Sequence, residues 1–174
     1  MNTPSGLQRV IEHFQRQGWK FQLEQDRPVL RTGFGAKNGP VRCIIVVDES
    51  DDLIQIFATL PVVPEHRRAA AAELCVRASY GTKLGKFELD HSDGELRFQT
   101  AAPYAKGELT DDLIQRVVAI ALTMADAFLP AFMKVIYANV SPAEAASEAR
   151  AWLARGGEAV PEPQLQIARR INLN

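Results

Sequence analysis

Val41-Arg42-Cys43-Ile44-Ile45-Val46-Val47, then Asp48-Glu49-Ser50-Asp51-Asp52, then Leu53-Ile54-Gln55-Ile56-Phe57-Ala58-Thr59-Leu60 is the stretch that decides the fold. Two runs rich in β-branched and aromatic residues flank an acidic turn, so they read as two strands of a hairpin. Strands joined so closely run antiparallel. Upstream, Trp19-Lys20-Phe21-Gln22-Leu23-Glu24 alternates with period two, the pattern of a half-buried strand. Val29 to Phe34 reads as a short irregular strand, and Gly33, Gly35, Gly39 and Pro40 make a turn-rich break. Downstream, Phe87-Glu88-Leu89 and Leu96-Arg97-Phe98-Gln99 flank Ser92-Asp93-Gly94, a strong signal for a second hairpin.

Helices surround these strands. Thr3 to Gly18 has a cap in Thr3, a first-turn proline in Pro4, and Leu7, Val10, Ile11 and Phe14 on one stripe. Pro64 opens a second helix to about Tyr80, with Ala71, Leu74, Cys75 and Ala78 on one face. Thr110 caps a long helix to about Asn139, with Asp111 and Asp112 well placed in its first turn. Ser141-Pro142-Ala143-Glu144 starts a shorter helix through about Arg155, closed by Gly156-Gly157. Strands that come in hairpin runs rather than alternating with helices indicate an α+β fold. The expected order is α-β-β-β-α-β-β-α, an antiparallel sheet with flanking helices, plus a short C-terminal helix. Residues 1–155 read as a single domain. Residues 156–174, with Pro161 and Pro163, read as a C-terminal tail or a segment laid across a surface. One sheet face should pack on the long helix; the other should meet helix 64–80, water or a partner.

The long helix carries one anomaly. Between Arg116 and Lys134 lie seventeen residues with a single charge, Asp126, and a single helix breaker, Pro130. Proline cannot donate to the carbonyl four residues earlier, so the freed carbonyl and the lone charge fall on the same residue. No cation on the same helix lies within reach of Asp126. The carboxylate is therefore expected to be exposed, paired with a strand cation such as Lys86 or Arg97, or buried. Asp126 and Pro130 form a structural notch, read as a bend over the sheet or as a polar register point in an interface. A membrane span fits poorly, because the run barely reaches the minimum length and holds a carboxylate and a proline.

Composition is that of an ordinary globular chain. At 174 residues, 47% hydrophobic and 24% charged with net charge −1, it has no global electrostatic case for nucleic acid or anionic membrane. Basic residues come in pairs, Arg67-Arg68 and Arg169-Arg170, rather than in a stripe. Cys43 and Cys75 lack a CxxC spacing and read as buried thiols; a disulfide needs their two elements to pack face to face. No charged region precedes an apolar core at the start, so the expected location is the cytoplasm.

The candidates for chemistry are weak. His13, His66 and His91 lie in different elements without metal-ligand spacing; His13 is placed on a polar helix face. Asp90-His91 has no nucleophile set beside it by sequence and reads as a tight polar turn. The acidic turn 48–52 lacks the spacing of a calcium loop and reads as solvated. Gly33-Phe34-Gly35 is too short for a dinucleotide fingerprint, and Gly81-Thr82-Lys83-Leu84-Gly85 lacks the ending of a phosphate loop. No catalytic residue, cofactor or metal is assigned, and the chain reads as a non-enzyme.

Several of these segments together carry a resemblance. Gly85-Lys86-Phe87-Glu88-Leu89-Asp90, Asp93-Gly94-Glu95-Leu96-Arg97-Phe98, Leu109-Thr110, Asp126-Ala127-Phe128-Leu129-Pro130 with Val135, and Ser141-Pro142-Ala143-Glu144-Ala145 resemble the bacterial YbjN family. The resemblance covers the C-terminal two thirds, and the first sixty residues by element order alone. Members are described as sensory transduction regulators. It implies an architecture similar to type III secretion chaperones, usually dimeric, with hydrophobic surfaces that hold extended segments of other proteins. Its motifs are structural rather than catalytic, and shared fold does not transfer function.

The functional expectation is a non-enzymatic protein-binding module, chaperone-like or regulatory, acting as a homodimer on a protein partner of unknown identity. Its candidate interface is Ala71, Leu74 and Ala78 on the second helix, or Val117, Ile120, Met124 and Phe128 on the long one. The alternative is a nucleic-acid-associated accessory protein using Arg67, Arg68, Lys83 and Lys86. A small-molecule pocket or hydrolase has no residue in its favour.

Overall fold

The computed structural model describes residues 5–24, 27–104 and 109–155. Six antiparallel strands form one sheet in the order β1-β2-β3-β4-β6-β5. They are β1 (Phe21–Leu23), β2 (Val29–Gly35), β3 (Pro40–Asp48), β4 (Leu53–Thr59), β5 (Lys86–Leu89) and β6 (Leu96–Pro103). Four helices accompany them: α1 (Gly6–Gln17), α2 (Arg68–Ser79), α3 (Asp111–Tyr137) and α4 (Pro142–Ala154). This is the expected α+β class, with four strands rather than three before α2.

The opening hairpin pairs as read, from Arg42 opposite Thr59 to Asp48 opposite Leu53. Period-two alternation then sorts the sheet into two faces. Val41, Cys43, Ile45 and Val47 of β3, Ile54, Ile56 and Ala58 of β4, and Leu96 and Phe98 of β6 are buried. Their neighbours Arg42, Ile44, Val46, Gln55, Phe57, Thr59 and Arg97 are exposed or half-buried. The helices therefore serve the first face, and the second has the half-apolar, half-charged makeup of a sheet face turned to solvent. Helix 64–80 does not lie over it: α2 packs on edge strand β5 and on α3 and α4.

Several boundaries differ from expectation for local reasons. Thr3 and Pro4 lie outside the described residues, and Ser5 caps α1 by accepting from the Gln8 N–H at 3.2 Å. Gly18 takes the left-handed conformation at φ +68°, and Trp19 N–H donates to the Phe14 carbonyl, so Trp19 belongs to the helix stop. Its ring sits edge-on to Phe14 and Phe34, and β1 shrinks to three residues. Pro64 opens a 3-10 turn, Glu65–Arg67, before α2 begins. Strand β6 runs past Gln99 to Pro103 because β4 pairs with it along that whole length. The predicted closure by Gly156-Gly157, and the tail that follows, lie outside the described residues.

Helix α3 is capped by Thr110, whose side chain accepts from the Leu113 N–H at 3.2 Å. It is long and apolar enough to cross a membrane, yet its buried stripe from Ile114 to Ile136 packs on β6, β4, α2 and α4. It is the core helix of this fold. Phe87 of β5 joins it to the sheet, with ring centroids 4.9 Å from Phe98, 5.0 Å from Phe128 and 5.2 Å from Phe132. Cys43 and Cys75 are both buried free thiols, which burial pushes up to about 12.

Candidate functional site: the Asp126–Pro130 notch and its trough

Asp126 is 1% exposed, and its partner comes from the turn between β2 and β3. The Asn38 backbone N–H donates to Asp126 Oδ1 at 2.7 Å, and Asn38 Nδ2 donates to the Asp126 carbonyl at 3.0 Å. The second bond supplies the donor that Pro130 withholds from that same carbonyl. One exposed turn residue thus satisfies both polar groups of the notch and fixes the register between sheet and helix. Lys86 and Arg97 take no part: both converge on Glu88, at 3.0 and 2.8 Å. Of the three placements open to the carboxylate, burial is the one found, with its contact internal to the chain.

A trough runs over this anchor. On one side, a groove of about 580 Å³ lies between the strand ends at Asn38–Arg42 and Thr59–Pro61 and the α3 residues Ala125, Leu129, Pro130 and Met133. Its walls are mainly apolar, with Met133 39% exposed. On the other side, a groove of about 380 Å³ is shared by α3 and α4, with Trp152 and Arg155 in its lining. Asn38 and Pro130 line both grooves, so the two adjoin at the notch. Gly39 brings the turn close: a side chain there would meet Leu129 Cδ2 at 3.2 Å, and its φ of +154° disfavours one.

The interface residues expected from sequence fall mostly elsewhere. Ala71, Leu74, Ala78, Val117 and Phe128 are all buried, at 3% exposure or less, among β5, α2, α3 and α4. A side chain already buried within its own chain has no area left for a partner, so these five belong to the core. Ile120 and Met124 are half-buried against that core. The same two helices expose different residues: Val76 on α2, with Tyr80 just past its end, and Met133 and Tyr137 on α3. Only Met133 lies in the trough. A sequence signal for this site did exist, in the Asn38-Gly39-Pro40 turn, but nothing linked that turn to Asp126 eighty-eight residues away.

The Arg67-Arg68 pair is also spoken for, while Arg169-Arg170 lies outside the described residues. Arg67 donates to the Val135 carbonyl and to Asn139 Oδ1 (2.8 Å), closing the C-terminal end of α3. Arg68 donates to the carbonyls of Val63, His91 and Ser92 and ties α2 to the β5–β6 turn. Lys83 and Lys86 are exposed. Glu49 of the acidic turn accepts from the Gly6 and Leu7 N–H groups at 3.2 and 3.0 Å, so one carboxylate of that turn caps a helix. Asp48 is held below the usual carboxylate range, first by the Ser50 hydroxyl and then by the Ser50 and Asp51 N–H groups.

Among the histidines, His66 and His91 are exposed, whereas His13 is 1% exposed rather than on a polar face. It stands edge-on to Trp19 with centroids 5.4 Å apart. Asp90 accepts from Ser92 N–H and Oγ at 2.7 and 2.6 Å, the tight turn expected there. No group of three metal-ligating side chains occurs among the described residues.

The sequence pattern of YbjN, described as "putative bacterial sensory transduction regulator", matches residues 6–134. The chain belongs to the YbjN family. The matched span contains the notch and the larger groove, and stops before α4. No curated protein matches the sequence. Among solved structures, the crystal structure of YbjN from E. coli, described as "a putative transcription regulator", is similar with a TM-score of 0.54. That likeness covers 80% of this chain and 94% of the E. coli chain at 16% identity, and it establishes the fold.

Proposed function

We propose that this YbjN-family chain is a non-enzymatic protein-binding module, chaperone-like in holding an apolar segment of another protein, and that it acts as a homodimer. The observation that carries the reading is the apolar groove beside the notch. It is large enough for several side chains, is lined by the core helix α3 and adjoins the Asn38–Asp126 contact. Leu129, Pro130, Met133, Leu60 and Pro61 offer no nucleophile or general base, only contact surface. Each large side chain buried there contributes about 1.5–3 kcal/mol before ordering costs.

The second copy is placed on the outer sheet face, where Ile44, Val46 and Phe57 are half-buried and the Arg97 guanidinium lies 4.5 Å from the Phe57 ring centre. Five strands at ~4.8 Å spacing and about seven residues at ~3.3 Å rise give roughly 550 Å² per copy. The total of about 1,100 Å² clears the ~1,000 Å² of a small specific interface.

Selection of phage-displayed peptides on the full chain tests the groove. Recovered peptides should carry clustered apolar residues and bind Met133→Asp at least tenfold more weakly, with unchanged circular dichroism. Recovery of no peptide above background, or equal binding to Met133→Asp, sinks the groove reading. Sedimentation velocity tests the dimer separately: Phe57→Glu should give a monomer at tens of micromolar, and a wild-type monomer there rules self-association out.

A further inference from the structure

We infer that two copies meet across the outer sheet face about a two-fold axis that crosses the strands, so that Arg42 of each copy pairs with Asp48 of the other. This rests on the dimer reading above and fixes its orientation. Alternate residues share a face, so β3 lays Arg42, Ile44, Val46 and Asp48 along the outer side in that order. In β4, Thr59 stands opposite Arg42, Phe57 opposite Ile44, and Leu53 opposite Asp48. The middle of the face, with Ile44, Val46 and Phe57, is half-buried and apolar. The charges sit towards its ends.

The two ends carry opposite sign. Arg31 is already paired with Glu24 at 2.6 Å, and Glu88 takes both Lys86 and Arg97. Arg42, by contrast, is exposed, and its guanidinium has no partner among the described residues. Lys20, whose carbonyl accepts from the Thr32 hydroxyl, adds a second exposed cation beside that end. At the other end, Asp48 receives its bonds from Ser50 and Asp51 on Oδ1, which leaves Oδ2 free of them. Asp51 and Asp52 extend the negative charge, against the single exposed Arg27 of the neighbouring turn.

An isologous interface must complement itself. Two faces that meet have their two-fold axis in the plane between them. An axis along the strands would lay Arg42 over Arg42 and Asp48 over Asp48, and such like-charge juxtapositions are costly. An axis across the strands exchanges the ends: the apolar middle covers itself, and the Arg42–Asp48 contact forms twice. Six residues at ~3.3 Å place each charge about 10 Å from an axis level with Ile45, between Ile44 and Val46. Packed sheets turned by about 30° shift facing residues sideways by ~5 Å at that distance, one strand spacing, which an arginine side chain spans.

The test is sedimentation velocity on the full chain, with circular dichroism as the check on folding. Arg42→Asp makes both ends acidic and Asp48→Arg makes both basic, so each alone should self-associate at least roughly tenfold more weakly than wild type. Mixed one to one, the two should recover a dimer, because every acidic end then meets a basic one. Asp48→Asn keeps an acceptor for Ser50 and Asp51, and should weaken association even if Asp48→Arg does not fold. Two folded variants that stay monomeric when mixed overturn the orientation. So does Arg42→Asp or Asp48→Asn associating as tightly as wild type; if Phe57→Glu is then still a monomer, the dimer on this face stands and only its orientation falls. A wild-type monomer at tens of micromolar overturns both.

Discussion

Two polar side chains are buried where other elements meet α3, and they are satisfied very differently. At the β2–β3 turn, Asp126 receives one N–H on its carboxylate and a second donor on its own carbonyl. At the α1 junction, His13 Nδ1 lies 3.3 Å from Asp111 Oδ1 but without the alignment of a hydrogen bond, and Nε2 has no partner among the described residues. Asp111 is in any case shared with Arg16, at 2.5 Å. A buried polar group adds specificity when its partners are in place, and otherwise costs about 1–3 kcal/mol. The first junction is therefore a register lock. The second is held by its rings, Phe14, Trp19 and Phe34, around a histidine that contributes shape.

Breaking the lock should give the largest effect. Asp126→Ala removes the side-chain acceptor and strands the Asn38 N–H, so urea unfolding should show a loss of about 2–3 kcal/mol. Asn38→Ala keeps the backbone donor and loses the Nδ2 bond, for about 1–2 kcal/mol, because the carbonyl freed by Pro130 is then orphaned. A double-mutant cycle sharpens the cause. Pro130→Ala restores an intrahelical donor to the Asp126 carbonyl, so Asn38→Ala should cost about 1 kcal/mol less in that background. Additive effects would mean that Asn38 is not the substitute for the missing helix bond.

Much of this architecture was legible in the residues and the lock only half so. Alternation along Val41–Val47 and Leu53–Thr59 fixed which side chains face the helices, because a one-residue slip would turn Ile45 and Ile56 to water. Caps at Thr110 and Ser141 were readable for the same local reason. The notch was visible as a charge placed four residues before a proline. Its partner was not, since Asn38 offers only a common turn signature and the contact exists only once β2, β3 and α3 are assembled. The interface residues failed on another ground. An apolar helix face announces burial without saying whether its own chain or another covers it, and here β5 and α4 already cover Ala71, Leu74 and Phe128. His13 was misplaced because its helix stripe was read without Trp19, which folds back over it.

The opposite junction gives a smaller effect of the other sign. His13→Leu removes two ring nitrogens that make no hydrogen bond and leaves Asp111 its partner Arg16. The thermal midpoint should stay level or rise, corresponding to a change within about 1 kcal/mol, since an apolar group of similar volume suits the site. A loss comparable to that of Asp126→Ala would show that the 3.3 Å approach to Asp111 carries energy, and the contrast between the two junctions would fail.

The mildest test moves to the solvent-facing sheet surface, where Glu88 sits between Lys86 and Arg97. Burial alone would raise its carboxyl, but hydrogen bonds and charge from Lys86 and Arg97 together outweigh that and hold it below its usual 4.5. A carboxylate whose folded value lies below its unfolded value contributes stability above the unfolded value and loses it as pH falls through the folded one. Wild type should therefore lose stability progressively from about pH 4.5 downward, and Glu88→Gln should flatten that part of the urea-midpoint curve while changing little at pH 7. Identical acid limbs in the two proteins would assign the loss to other carboxylates. Because Glu88 stays in contact with water while Asp126 does not, its whole pH-dependent contribution should remain smaller than the cost of Asp126→Ala.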